Sequence, residues 1–298
     1  VTALFFFNHR RVRSTRAEAP KIARFYVTDM PELPEVETTR RGISPHVLGL
    51  KVQEVVVRES RLRWPVPEQL GTKLSGARIT AVNRRAKYLL VETDAGILMV
   101  HLGMSGSLRI MPAGTPPLFH DHIDVVLDDG NCLRYHDPRR FGSFHWLDSP
   151  AHPLLDHLGP EPLSTAFSGA YLYERSRRRQ LSVKQFVMDG KIVVGVGNIY
   201  ANEALFMAGI HPARAAGRVA LKRYESLVET IKTVLHDAIE QGGTTLRDFV
   251  GCYGSPGYFA QQLRVYGRQG QPCRACKSVL REIRQSGRST VFCPGCQR

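Results

Sequence analysis

The feature that most constrains this chain lies near its end: two Cys-x-x-Cys pairs, Cys273/Cys276 and Cys293/Cys296, separated by 16 residues. Paired hooks at this spacing are a zinc-site arrangement, the alternative being two disulfides of a small secreted domain. The stretch from 265 to 298 is too short to bury a core of its own, so metal would supply its folding free energy. Four thiolates leave no open coordination position, and the expectation is one structural zinc ion. The same stretch holds seven basic residues against one acidic residue, which suits a module held against phosphate. Cys132 and Cys252 stand apart and read as free thiols of a reducing compartment.

The basic character extends to the whole chain. Lys and Arg total 41 against 27 Asp and Glu, a net charge of +14, and a polyanion such as nucleic acid is the usual partner of such a surface. No apolar run approaches the roughly 20 residues needed to span a bilayer. The 298 residues suffice for two or three domains.

Patterning divides the chain into a tail and three parts. Val1 to Asp29 shows no amphipathic order and holds six basic and two acidic residues. Met30-Pro31-Glu32-Leu33-Pro34-Glu35-Val36-Glu37 reads as a helix start, since prolines fit a first turn and acids there complement the helix dipole. Gly42 is the predicted stop. From Lys51 to Leu147 the pattern is mainly β. His122–Leu127, the Asp129-Gly130 turn and Cys132–Tyr135 form a predicted hairpin, and the spacing of short strands suggests a sandwich or barrel. Leu158-Gly159-Pro160-Glu161-Pro162-Leu163 reads as a linker. Beyond it Leu221, Tyr224, Leu227, Ile231, Val234 and Ala238 make a helical stripe closed by Gly242-Gly243, which is core packing. The expected parts are 1–29, 30–150, 151–262 and 263–298.

Pro31 and Glu32 gain chemistry if Met30 is an initiator that is removed. Pro31 would then carry a free secondary amine with a pKa near 8, partly unprotonated at neutral pH. Attack on C1′ of a deoxyribose gives an iminium whose charge acidifies the C2′ proton, and elimination of the 3′ phosphate follows. Glu32 could move protons at the opening sugar. Taken singly, other residues read more blandly: Lys87 as a strand-end cation, Met104 and Phe141 as core, and Arg175–Arg179 as a solvated basic loop.

The Met30–Glu37 run resembles the opening of the formamidopyrimidine-DNA glycosylase family. The resemblance continues through Arg84-Arg85-Ala86-Lys87-Tyr88, His101-Leu102-Gly103-Met104-Ser105-Gly106, Asp137-Pro138-Arg139-Arg140-Phe141-Gly142, Gly195-Val196-Gly197-Asn198-Ile199-Tyr200 and the cysteine module. It implies an α+β multidomain fold: an N-terminal β-sandwich, a helical domain with a helix–two-turn–helix, and a C-terminal zinc-finger β-hairpin. It implies Pro31 as Schiff-base nucleophile, Glu32 as its acid/base partner, Lys87 as an aid to β-elimination and Arg288 to the δ step. Met104, Arg139 and Phe141 would fill the gap left by an extruded base: apolar wedges replace lost stacking, and a guanidinium can bond the orphaned partner. His120, Arg139, Arg179, Lys184 and Asn198 match the family's DNA contacts. Arg247 to Tyr266 matches a loop that covers the flipped purine.

The implied partner is double-stranded DNA containing an oxidised purine or an abasic site, bound by a monomer without a membrane in bacterial cytoplasm. The departure from the family is the first 29 residues, which leave Pro31 a non-nucleophilic tertiary amide. A mis-assigned start site is the expectation, with a cleaved Arg-rich targeting peptide as the competing idea. Two other readings stay open, a pyrimidine-lesion enzyme of the same superfamily and a non-catalytic damaged-DNA binder.

Overall fold

The computed structural model describes residues 30–244 and 262–298. The segment Val1–Asp29, Cys252 and most of the glycine-bearing stretch 247–266 lie outside them. Helix α1 (Leu33–Val47) starts as its sequence suggests, with Pro34 and Glu35 in the first turn. The Glu35 carboxylate accepts the Glu32 N–H at 2.9 Å, satisfying a donor that the helix cannot. Gly42 is not the stop: the helix runs through Gly42 and Pro45. Ile43 and Val47 are fully buried, and burying each is worth about 1.5–3 kcal/mol. That outweighs the roughly 1 kcal/mol penalty of a helical glycine.

Strands β1 (Val52–Val57), β2 (Ile79–Arg85), β3 (Tyr88–Thr93), β4 (Ile97–His101), β5 (Ser107–Pro112), β6 (Asp121–Leu127), β7 (Asn131–His136) and β8 (Ser143–Leu147) follow, with the short helix α2 (Leu70–Leu74) after β1. They form two four-stranded sheets, ordered β1-β6-β7-β5 and β2-β3-β4-β8. Every pairing is antiparallel. Two separate sheets decide between sandwich and barrel in favour of the sandwich. The expected hairpin is β6–β7, and its turn places Gly130 at φ +84°, a conformation that a side chain resists.

The helical part comprises α3 (Pro153–Asp156), α4 (Gly169–Ser176), α5 (Val183–Met188), α6 (Asn198–Met207), a 3₁₀ turn (Ala216–Arg218) and α7 (Leu221–Glu240). A hydrogen-bonded turn from Asp189 to Ile192 and a bend over 193–195 join α5 to α6, the helix–two-turn–helix region. In the α7 stripe Tyr224, Leu227, Ile231, Val234 and Ala238 are buried, whereas Leu221, the first residue of the helix, is 40% exposed. Strands β9 (Arg281–Gln285) and β10 (Arg288–Phe292) form the C-terminal hairpin. Val36 and Ile43 of α1, Leu108 and Tyr135 of the sandwich, and Phe186, Tyr224 and Ile231 of the helices share one apolar cluster. Helix α1 is therefore the joint between the sandwich and the helices. The hairpin builds a second cluster by borrowing Phe206 from α6.

A polar clamp closes the same joint at the β2–β3 turn. Glu161, from the proline-flanked linker, accepts Arg84 at 2.8 Å, Arg85 at 3.0 Å and the Ala86 N–H at 2.8 Å. Arg84 also pairs with Glu37 of α1 at 3.0 Å, and Arg85 reaches the carbonyls of Leu158 and Gly159. Charge-assisted bonds contribute about 1.5–3 kcal/mol each when buried, and less here because Glu161 is partly exposed. Replacing Glu161 by Ala is expected to lower the melting temperature by several degrees, read by calorimetry. An unchanged melting temperature would show that the linker is not clamped.

Candidate active site and DNA interface

Two loops at one end of the sandwich meet backbone to backbone. The turn after β4 carries Met104, and the segment between β7 and β8 carries Arg139 and Phe141. Their contact requires glycine: a Cβ at Gly103, whose φ is +70°, would lie 2.4 Å from the Phe141 carbonyl carbon, and one at Gly142 would lie 1.7 Å from the Tyr135 hydroxyl. Met104, Arg139 and Phe141 consequently line one cavity of about 700 Å³, together with Met30, Arg61, Arg63 and Arg140. Phe141 is 43% exposed, unusual for an aromatic side chain without a partner molecule. The Arg139 guanidinium sits 5.2 Å from the centre of its ring.

Lys87 lies in the two-residue turn between β2 and β3, where Ala86 takes φ +55°. Its charge falls on His101 at the end of β4, beside the Met104 turn. Desolvation, reinforced by the Lys87 and Arg63 charges, pushes the His101 imidazole down to about 4. The ring is thus neutral at physiological pH, and its Nδ1 accepts the Gly103 N–H at 3.0 Å. This bond ties the lysine's surroundings to the turn that carries Met104.

Met30 at the cavity wall and the buried Pro31 lead directly into Glu32, which is 3% exposed. The Glu32 carboxylate lies over the start of α6 and accepts the Ile199 N–H at 3.4 Å. A helix N-terminus favours a nearby negative charge. Gly197 makes room, since a Cβ there would lie 1.9 Å from the Glu32 carboxyl carbon. Asn198 opens the same helix and donates to the Tyr266 hydroxyl at 3.3 Å. The nucleophile candidate, its acid/base partner and the glycine-bounded helix start therefore share one corner of the cleft.

The remaining expected DNA residues lie on several other elements. His120 borders a neighbouring cavity of about 510 Å³ that shares Arg61 and Arg140 with the first. Arg179 is exposed in the turn between α4 and α5, next to Arg178. Arg177, by contrast, is held against Tyr173 and the Val219 carbonyl. Arg288 is exposed immediately after the Ser286-Gly287 turn of the hairpin, as its position between the cysteine pairs suggested. Lys184 is 1% exposed. Its ammonium donates to the Ser289 carbonyl at 2.9 Å and to Thr290 Oγ1 at 2.7 Å, so it fastens the hairpin to α5 from within.

The four cysteine sulfurs lie within 4.8 Å of one another, with Cys276–Cys293 at 3.3 Å and Cys273–Cys296 at 3.9 Å. A tetrahedral zinc with bonds of about 2.3 Å needs sulfur–sulfur edges of about 3.8 Å. The set therefore fits zinc, and four thiolates leave it no vacant position. Among the described residues no helix is long and apolar enough to cross a membrane.

Comparison with known proteins agrees with this geometry. Residues 30–144 match the formamidopyrimidine-DNA glycosylase N-terminal domain, 158–250 the H2TH domain of the same enzymes, and 270–298 the zinc finger found in FPG and IleRS. The chain belongs to the formamidopyrimidine-DNA glycosylase family. This is a family of DNA-repair glycosylases and AP lyases. The formamidopyrimidine-DNA glycosylase of Methylococcus capsulatus is 60% identical over 271 residues, covering 90% of this chain and all of the relative. Two Lactococcus lactis Fpg structures align over 90% of this chain and their full length: one in complex with abasic-site DNA (33% identity, TM-score 0.83) and one with FAPY-dG DNA (32%, 0.82).

Sequence reasoning missed the residues that hold these groups in place. Glu203, buried in α6, accepts the N–H groups of Arg264, Val265 and Tyr266 at 2.8–2.9 Å. Asp137 belongs to the Asp137–Gly142 motif, in which the legible chemistry is that of Arg139 and Phe141. A lone acid in an apolar run is a weak signal for a buried acceptor, because only the fold reveals the donors around it.

Two outcomes follow from the zinc set and from His101. Chelating the metal, or replacing Cys276 by Ser, is expected to unfold 270–298 and weaken duplex binding about tenfold or more. Hydrogen exchange across β9–β10 checks this, and retained protection would count against a metal-dependent hairpin. For His101 the folded value lies below the ordinary 6.5, so its neutral form favours folding above that pH. That stability is lost as pH falls from 6.5 towards 4. The melting temperature of the wild type should fall more steeply over this window than that of a His101→Gln variant.

Proposed function

We propose that this glycosylase removes oxidised purines, 8-oxoguanine and formamidopyrimidines, from duplex DNA and opens the abasic product by β,δ-elimination at Pro31. The observation that carries the reading is the shared corner: Met30, directly before Pro31, lines the same cavity as Met104, Arg139 and Phe141, and Glu32, directly after it, lies over the α6 start. A purine extruded from the stack leaves a gap that the three side chains have the size and chemistry to fill. The relatives' complexes with FAPY-dG and abasic-site DNA are consistent with this substrate class.

In this mechanism the active form begins at Pro31, because the Met30–Pro31 peptide bond removes the lone pair that must attack. The secondary amine adds to C1′ as the base leaves, and Glu32 passes a proton to the opening sugar oxygen. The iminium positive charge then drives loss of the C2′ proton and the 3′ phosphate. Lys87 assists this β step and Arg288 the δ step. His120, Arg139, Arg179, Asn198 and, through the hairpin it holds, Lys184 support the duplex. The working unit is one monomer with one zinc, divided at about residues 150 and 262, and 1–29 is no part of it.

Borohydride trapping tests the reading. A chain starting at Pro31 is expected to form a reduced cross-link with a duplex carrying 8-oxoguanine opposite cytosine. Mass spectrometry should place the cross-link on Pro31, and a chain retaining Val1–Asp29 should form none. A Glu32→Gln variant should lose roughly 10²-fold or more of its excision rate. Efficient trapping with the extended chain would overturn Pro31 as nucleophile, and excision of thymine glycol in preference to 8-oxoguanine would overturn the purine assignment.

A further inference from the structure

Asp137 is fully buried between the two loops that carry the wedge side chains. Its carboxylate accepts four bonds. Oδ1 takes the Ser105 hydroxyl at 2.6 Å and the Arg139 N–H at 3.3 Å. Oδ2 takes the Tyr135 hydroxyl and the Gly142 N–H, both at 2.9 Å. An ionised carboxylate has about four acceptor sites and no donor, so the group matches its surroundings fully. Its backbone extends the same function: its N–H donates to the His120 carbonyl at 3.0 Å, and its carbonyl accepts Arg140 N–H at 3.2 Å and lies 2.8 Å from His122 Nε2.

We propose that Asp137 is the positioning residue that makes Met104, Arg139 and Phe141 one rigid wedge. Ser105 follows Met104 directly, Arg139 is bonded through its own backbone, and Gly142 follows Phe141. One buried charge therefore fixes the backbone beside all three wedge residues. The glycines at 103 and 142 allow the loops to touch, and the carboxylate sets their register. The wedge acts before chemistry, when an intact base must be pushed from the stack, and an abasic site has no base to unstack. Loss of the lock should therefore slow excision of a base more than cleavage of a preformed abasic site.

The inference rests on the proposed substrate only for its excision assay. Asp137→Asn keeps the shape but turns an NH₂ towards bound donors, leaving the Gly142 N–H or the Ser105 hydroxyl without its acceptor, while the Arg139 N–H keeps Ser105 Oγ at 3.2 Å. Ser105→Ala removes the hydroxyl that donates to Asp137 and accepts the Arg139 N–H at 3.2 Å, but leaves the carboxylate its other donors, and is the milder variant. At a temperature where circular dichroism and zinc content match the wild type, single-turnover excision of 8-oxoguanine by Asp137→Asn is expected to fall about 10- to 100-fold. Cleavage of an abasic duplex should fall much less, with Ser105→Ala in between. A 2-aminopurine placed opposite a stable abasic-site analogue should lose the fluorescence change that reports wedge insertion. Equal losses in both reactions, or an unchanged 2-aminopurine response in the folded variants, would overturn the proposal. If the wild type leaves 8-oxoguanine intact, the substrate reading fails, and the 2-aminopurine response still decides the role of Asp137.

Discussion

The arrangement of the site depends on a carboxylate that never reaches it. Glu35 is fully buried in the first turn of α1. It accepts the Tyr200 hydroxyl at 2.6 Å from α6, the Thr244 N–H at 2.8 Å from beyond α7, and the Glu32 N–H at 2.9 Å. Burial pushes its pKa up, and these hydrogen bonds pull against that shift. A buried carboxyl is tolerated where donors replace its water, and here they come from three parts of the chain. Glu35 thereby fixes α1 to the helices at the turn that begins with Pro31 and Glu32. Removing the carboxylate would leave three buried donors facing a void, so sandwich and helices would lose their common reference.

The same joint is made narrow by glycine. Gly195 takes φ +77°, and a Cβ there would lie 2.5 Å from Leu33, just as one at Gly197 would meet the Glu32 carboxyl. The Leu33 N–H reaches the Gly195 carbonyl at 3.4 Å across this gap. Apolar burial pulls α1 and α6 together, the glycines set how close they come, and Glu35 sets the rotation about the contact. A side chain at Gly197 would push Glu32 away from the α6 start, and one at Gly195 would push Leu33, so the short Gly-Val-Gly run sets where the first turn of α1 lies.

Much of this was legible in the sequence because the groups concerned announce themselves locally. The cysteine spacing implied a closed metal set, the Asp-Gly turn implied the β6–β7 hairpin, and the 3.6-residue stripe implied α7. The family motifs named Met104, Arg139 and Phe141, and the structure brings those three to one cavity. Less legible were interactions made across long stretches of chain. Gly42 looked like a helix end because local propensity said so, yet the burial of Ile43 and Val47 carries the helix past it. Lys184 matches a family DNA contact by motif alone. Its ammonium finds acceptors on β10 more than a hundred residues away, which no pattern around α5 could reveal. The Met30–Glu37 run posed another kind of problem: the nucleophilicity proposed for Pro31 depends on whether an amide bond precedes it, which side-chain patterns do not encode.

The net charge of +14 conceals a division of labour among the arginines. Arg40, Arg84, Arg85 and Arg134 are paired with acids inside the protein, and Arg134 is almost wholly buried with Asp124 at 2.7 Å. These charges are cancelled locally and hold loops together. Arg139, Arg178, Arg179, Arg284 and Arg288 are exposed, and none forms an ion pair among the described residues. They come from the segment between β7 and β8, the α4–α5 turn and the C-terminal hairpin, three separate parts of the chain. Unpaired guanidinium groups keep their full attraction for phosphate, and each phosphate neutralised releases a condensed counterion. The acids therefore do more than balance charge: by holding the structural arginines inside, they leave other guanidinium groups exposed to meet phosphate.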